Sequence, residues 1–142
     1  MSIMVGHTSP APPAPGTGPG RRAGARAWRA VAALGVLASG VVHVLLWLQG
    51  YADIAVVGPL FLLNGVAAAV LTVLLLGWRH WLPLVGGIAF GGATLLAFVL
   101  STTVGFYGVS ETFAGTEELV AAGAEVVAVV ASTLALVREH GR

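Results

Sequence analysis

The chain predicts an all-α integral membrane protein: a four-helix bundle running up-down-up-down, both termini cytoplasmic, with a disordered N-terminal tail. Three observations predict it. Four apolar runs of about 20 residues each recur along the chain, long enough for a helix to cross a bilayer core of ~30 Å. All seven basic residues fall on one side of those runs, while most of the acids fall on the other. The Trp and Tyr residues gather at the run ends, at the depth where an apolar ring with one polar edge is most at home.

Composition supports this class and narrows the functions. Of 142 residues, 57% are hydrophobic and only 9% charged, whereas a soluble domain carries roughly 25% charged residues. The net charge of +1 gives no support for a nucleic-acid partner. Lysine is absent, so every basic residue is Arg. Cysteine is absent too, which removes disulfides, thiolate metal sites and cysteine nucleophiles. A bias to Ala, Val, Gly and Arg suggests a GC-rich genome.

Residues 1–27 read as a tail. Pro10, Pro12, Pro13, Pro15 and Pro19 lie there among Gly, Ala, Ser and Thr, and such a segment cannot bury enough apolar surface to fold. It closes on a basic patch, Arg21, Arg22, Arg26 and Arg29, at the entry to the first span. That patch reads as a topology signal attracted to anionic lipid, or as a partner-binding tail. A cleaved export signal is disfavoured, because the run from Ala30 to Leu48 exceeds the 7–15 residues of a signal core.

The spans expected at 28–48, 57–78, 82–104 and 119–137 form one bundle over 28–137, followed by a cytoplasmic end at 138–142. Short cytoplasmic connections carry the excess of Arg. The Trp78–Trp81 turn holds Arg79 and the C-terminal end holds Arg138 and Arg142, whereas the other two connections hold Asp53, Glu111, Glu117 and Glu118 and no base. Pro59 and Pro83 fall in the opening turns of the second and third spans, where a missing N–H costs nothing. Thr116 is placed to cap the fourth, with Glu117 and Glu118 favoured in its first turn.

Helices in lipid associate through small residues and hydrogen bonds. Gly35 and Ser39 on the first span, and Gly87 and Gly91 on the third, are the expected packing positions. Asn64, Ala68 and Thr72 share a face of the second. Glu118, Glu125, Ser132 and Glu139 recur every seven residues on the fourth. Short connections make sequential helices neighbours.

His43, Asn64, Thr102 and Glu125 lie on the order of 5–10 Å below the outer interface, one from each helix. A charge within a span costs at least ~2.5 kcal/mol and normally faces the bundle interior. These four residues are therefore expected to form one network, either fixing helix register, or binding a small ligand, or relaying protons. A metal held by His43, Glu125 and Asp53 or Glu118 lacks any ligand-spaced motif, so none is assigned. Haem would need a second axial histidine from another copy of the chain. His7, His80 and His140 read as tail or interface residues. No HExxH, Walker loop, GxSxG or dinucleotide fingerprint occurs, so enzyme chemistry has no support and the cofactor stays unknown.

Ser39-Gly40-Val41-Val42-His43 with Trp47, then Tyr51, then Gly58-Pro59-Leu60-Phe61-Leu62-Leu63-Asn64, resembles a pattern in uncharacterised small four-span membrane proteins of high-GC Gram-positive bacteria. The resemblance covers roughly residues 28–137 and implies four helices in the plasma membrane (the bacterial inner membrane); it supplies no activity. The partners that follow are the lipid bilayer and either a membrane-protein partner or further copies of the chain. Two functions stand: a ligand-binding or proton-relay protein with an outward-facing polar cluster, and an accessory or assembly subunit in which that cluster is architectural. A transporter acting as a homo-oligomer is weakened by the lack of an internal repeat.

Overall fold

The computed structural model describes residues 19–107 and 115–141. Four helices account for nearly all of them: α1 (Pro19–Leu48), α2 (Val57–Gly77), α3 (Leu82–Thr103) and α4 (Thr116–His140), with a 3-10 turn at Tyr51–Asp53 between the first two. Each of the four is long and apolar enough to cross a membrane.

Helix α1 begins nine residues ahead of the expected span, so 19–27 are helical rather than part of a disordered tail. Proline suits the first turn of a helix, and the Arg and Ala that follow are strong helix formers. The rest of the expected tail, residues 1–18, lies outside the described residues, as do residues 108–114 of the 105–118 connection, including Glu111 and Phe113. Helix α4 also outruns its apolar stretch at both ends. Glu117 and Glu118 occupy its first turn and Arg138 and His140 its last, each charge complementing the helix dipole. Gly115, not Thr116, stands at its N-cap position, and no side chain caps it.

The packing is inverted relative to a water-soluble bundle. Buried positions are mostly small, among them Ala32, Ala33, Ala68, Ala128, Ala131 and Ala135, with Val36, Leu75 and Leu84 as the larger members. Bulky Leu34, Leu48, Val73 and Leu76 point outward. Small residues let the helix backbones approach closely, and that approach replaces the solvent-driven burial that lipid does not provide.

Helix α1 makes its largest contact with α4, the most distant helix in sequence, and its next largest with α2. Arg29 meets Glu139, Gly35 lies against Ala128, and Ser39 meets Glu125, so positions fall along α4 as they rise along α1. Against α2, Gly40 meets Ala68 and Val44 meets Gly65. Helix α3 packs on α4, with Gly87 against Ser132 and Gly91 against Glu125 and Val129. Neighbourhood in sequence thus predicts α1 with α2 and α3 with α4, but not α2 with α3. Those two share the shortest connection yet barely touch. Phe61 on α2 and Phe90 and Phe98 on α3 instead line a gap between them.

Adjacent glycines on α3 serve different purposes, and this is measurable. A Cβ on Gly91 would stand 2.8 Å from the Glu125 carbonyl oxygen, while one on Gly92 would meet nothing within 4 Å. Gly92→Ala is therefore expected to be neutral or to stabilise by up to ~1 kcal/mol through helix propensity. Gly91→Ala is expected to destabilise by about 1–3 kcal/mol through overpacking. Unfolding titrations in mixed micelles would show the two variants moving in opposite directions, and equal shifts would refute the packing assignment.

Arg29 ties one end of the bundle together. Its guanidinium is only 4% exposed. It donates to both carboxylate oxygens of Glu139, at 2.7 and 2.8 Å. It also donates to Trp78 O at 3.1 Å and His80 O at 2.6 Å. A helix C-terminus leaves its last carbonyls without partners, and Arg29 supplies donors to those of α2 and its exit turn. Beside this cluster Arg138 lies 5.2 Å above the Trp28 ring. Arg29 is thus not part of an exposed basic patch; the residues before it on α1, Arg22 and Arg26, remain exposed.

Candidate functional site

The gap between α2 and α3 is the mouth of a cavity of about 370 Å³, lined from all four helices. Most of the lining is apolar. His43, Asn64, Thr94, Ser101, Glu118 and Glu125 are its polar members, together with Tyr51 from the connecting turn.

Glu125 lies one and two heptads from Ser132 and Glu139 on the inward stripe of α4, and it is 2% exposed. The Ser39 hydroxyl of α1 donates to Glu125 Oε1 at 3.0 Å. Ser39 is one helical turn before His43, and this spacing brings the imidazole back onto it. His43 Nδ1 sits 2.8 Å from the Ser39 carbonyl oxygen and 3.4 Å from the Ser39 hydroxyl. A carbonyl only accepts, so Nδ1 carries a proton, which leaves Nε2 as the acceptor when the ring is neutral. Ser39 thus holds both groups, the imidazole through its backbone carbonyl and the Glu125 carboxyl through its hydroxyl. His43 also meets the Phe61 ring edge-on, at 4.9 Å between centroids, and Phe61 stacks on Tyr51 at 5.0 Å.

Asn64 reaches the cavity from α2. It is 9% exposed, and its Oδ1 is buried without a hydrogen-bond partner. Thr94 of α3 stands beside the Glu125 carboxyl while its hydroxyl donates to Phe90 O at 2.7 Å. Thr102 lies apart from these groups. Its hydroxyl bonds back to Phe98 O and Val99 O of its own helix, and Ser101 is the neighbour that lines the cavity.

The four expected network residues therefore divide. His43, Asn64 and Glu125 border one cavity, and Thr102 does not. The link between His43 and Glu125 runs through Ser39, placed by the sequence reading among the packing residues. Ser39 does both tasks: it is fully buried at the α1–α4 contact and carries the central hydroxyl. Gly35, Gly87 and Gly91 sit at helix contacts, each where an added Cβ would strike α4. Thr94 was missed. Its position one turn after Phe90, facing α4, is a tertiary fact without a local sequence signal. Among the described residues no three of His, Asp or Glu converge as metal ligands, so His43 and Glu125 do not gather with Asp53 or Glu118 into such a group.

No family model, curated protein or solved structure matches the chain. A mostly apolar cavity of a few hundred Å³ with several convergent polar groups has the general character of a small-molecule site. Two titratable side chains, His43 and Glu125, are held at its wall by one residue, Ser39.

Proposed function

We propose that this chain is a multi-pass plasma-membrane protein that holds a small ligand in the cavity bordered by His43, Asn64 and Glu125, with Ser39 fixing His43 and Glu125 in place. Its spans run up-down-up-down with both termini cytoplasmic. The distribution of Arg residues supports that orientation, the inverted packing supports a lipid surround, and the resemblance noted above supports the plasma membrane. The cavity then opens toward the outer half of the bilayer, away from the arginines.

The observation that carries this reading is the cavity itself. A cluster serving only to fix helix register would be filled by its own side chains. Here a carboxyl, an imidazole and an unpaired amide oxygen border about 370 Å³ of space. The competing reading is an accessory subunit docking a larger protein through the glycines of α3. It is weakened because Gly87 and Gly91 are taken up by α4.

Native mass spectrometry of the protein released gently from its own membranes tests the choice. The expected result is a stoichiometric non-lipid mass on the unmodified chain, lost from His43→Ala and Glu125→Gln. A bare chain, or one carrying only a fixed partner polypeptide, would sink the ligand reading and favour the accessory subunit.

A further inference from the structure

The hydrogen-bonding capacity that the cavity leaves unused is largely of one kind. Glu125 and Glu118 present carboxyl groups, and Glu118 Oε2 is buried without a partner. Asn64 Oδ1 is an unpaired acceptor, and His43, with Nδ1 engaged by the Ser39 carbonyl, offers the acceptor Nε2. The two hydroxyls of α3 are turned to their own helix: Thr94 donates to Phe90 O at 2.7 Å and Ser101 to Phe98 O at 2.8 Å. Among the described residues no Arg lines the cavity, and the basic cluster around Arg29 lies at the opposite end of the bundle.

We infer that the ligand of this cavity is a lipophilic cation, an organic ammonium with an apolar body, its positive charge beside Glu125 and Asn64. The inference rests on the ligand-binding reading above and names the ligand's class. Two carboxyls and an unpaired amide oxygen attract positive charge. A quinone carries no positive charge to set against the two carboxyls and is disfavoured. Taking a carboxylate into a span costs at least ~2.5 kcal/mol, and a cation bound beside it offsets that cost. The walls suit the rest of such a molecule. Phe61, Phe90 and Tyr51 supply aromatic faces and edges, and aromatic faces attract cations as well as apolar groups.

The mouth is consistent with this chemistry. Leu60 and Leu63 line the cavity yet are 38% and 61% exposed, so its rim belongs to the outward, lipid-facing surface between α2 and α3. An amphiphilic cation dissolved in the bilayer reaches the carboxyl through that rim without crossing water.

The test uses the full-length protein in zwitterionic-lipid nanodiscs, with binding measured against empty nanodiscs. Three probes are compared: benzyltrimethylammonium, its neutral carbon isostere neopentylbenzene, and a short-chain ubiquinone. A charge-assisted contact predicts that the ammonium binds at least about tenfold more tightly than its isostere. Glu125→Gln should remove that preference and Glu125→Asp should keep it. The comparison on unmodified protein stands even if a variant fails to fold. If the isostere or the quinone binds as tightly as the ammonium, the cation assignment is overturned and the pocket reading survives. If the preference persists in Glu125→Gln, the assignment to Glu125 is overturned. If none of the three binds up to its solubility limit, both readings fall together.

Discussion

Arg29→Ala is expected to cost about 3 kcal/mol of bundle stability, the lower end of the range for removing one partner of a buried ion pair, because Glu139 keeps some exposure. The physical reason is what the substitution strands. Both Glu139 oxygens lose their donors, and the carbonyls of Trp78 and His80 lose theirs in the same step. Unfolding titration with SDS in mixed micelles would measure the loss. Glu139→Gln is expected to cost less, since the guanidinium keeps its carbonyl partners and an amide oxygen still accepts one bond. A double-mutant cycle on the pair should return a coupling well above the median for exposed ion pairs, ~0–1 kcal/mol. A cost for Arg29→Ala no larger than that for Arg22→Ala, an exposed residue on the same helix, would refute the clamp.

Gly35→Leu is the second large effect. A Cβ at this position would lie 2.8 Å from Ala124 O and 2.9 Å from Ala128 N, both backbone atoms that no rotamer change can move. Helices α1 and α4 would have to separate, and Ser39, one turn further along, would be drawn away from Glu125. Overpacking of this kind typically costs 1–3 kcal/mol and occasionally more; the upper end, about 3 kcal/mol, is expected here because the obstacle is backbone. The same titration, with Gly92→Leu as the unobstructed control, would measure it. A Gly35→Leu protein as stable as the control would mean that the α1–α4 contact is looser than described.

Much of the fold is legible in the sequence because the signals are redundant. Hydropathy marks four helices, and the four residues spaced by seven on α4 return to one face whatever the neighbours are. That stripe holds Glu125 and Ser132 inward and brings Glu139 to Arg29. Other features are hidden for identifiable reasons. Successive residues on a helix are ~100° apart, so depth alone cannot separate Thr102 from Ser101, and only Ser101 reaches the cavity. Arg29 follows three other arginines and reads as one more member of their patch, because its partner lies 110 positions away. The short link after α2 fixes where α3 begins but not how closely the two pack. The aromatic rings on their facing sides decide that, and they leave the cavity open.

The dominance of the α1–α4 contact has a consequence for biogenesis. Ribosomes deliver α1 first and α4 last, so α1's most extensive interface has no counterpart until synthesis is nearly complete. In the meantime α1 and α2 can pair through Gly40, Val44, Gly65 and Ala68, which makes their hairpin the early intermediate. Arg29 can already reach the carbonyls at the end of α2, but its carboxylate partner arrives with Glu139. Ser39 waits likewise for Glu125. A nascent chain stalled before α4 therefore displays a half-satisfied guanidinium and a hydroxyl without its carboxyl acceptor on a face of small residues, the kind of surface that insertion factors and quality-control proteases can read. Arrival of the fourth helix erases both marks at once.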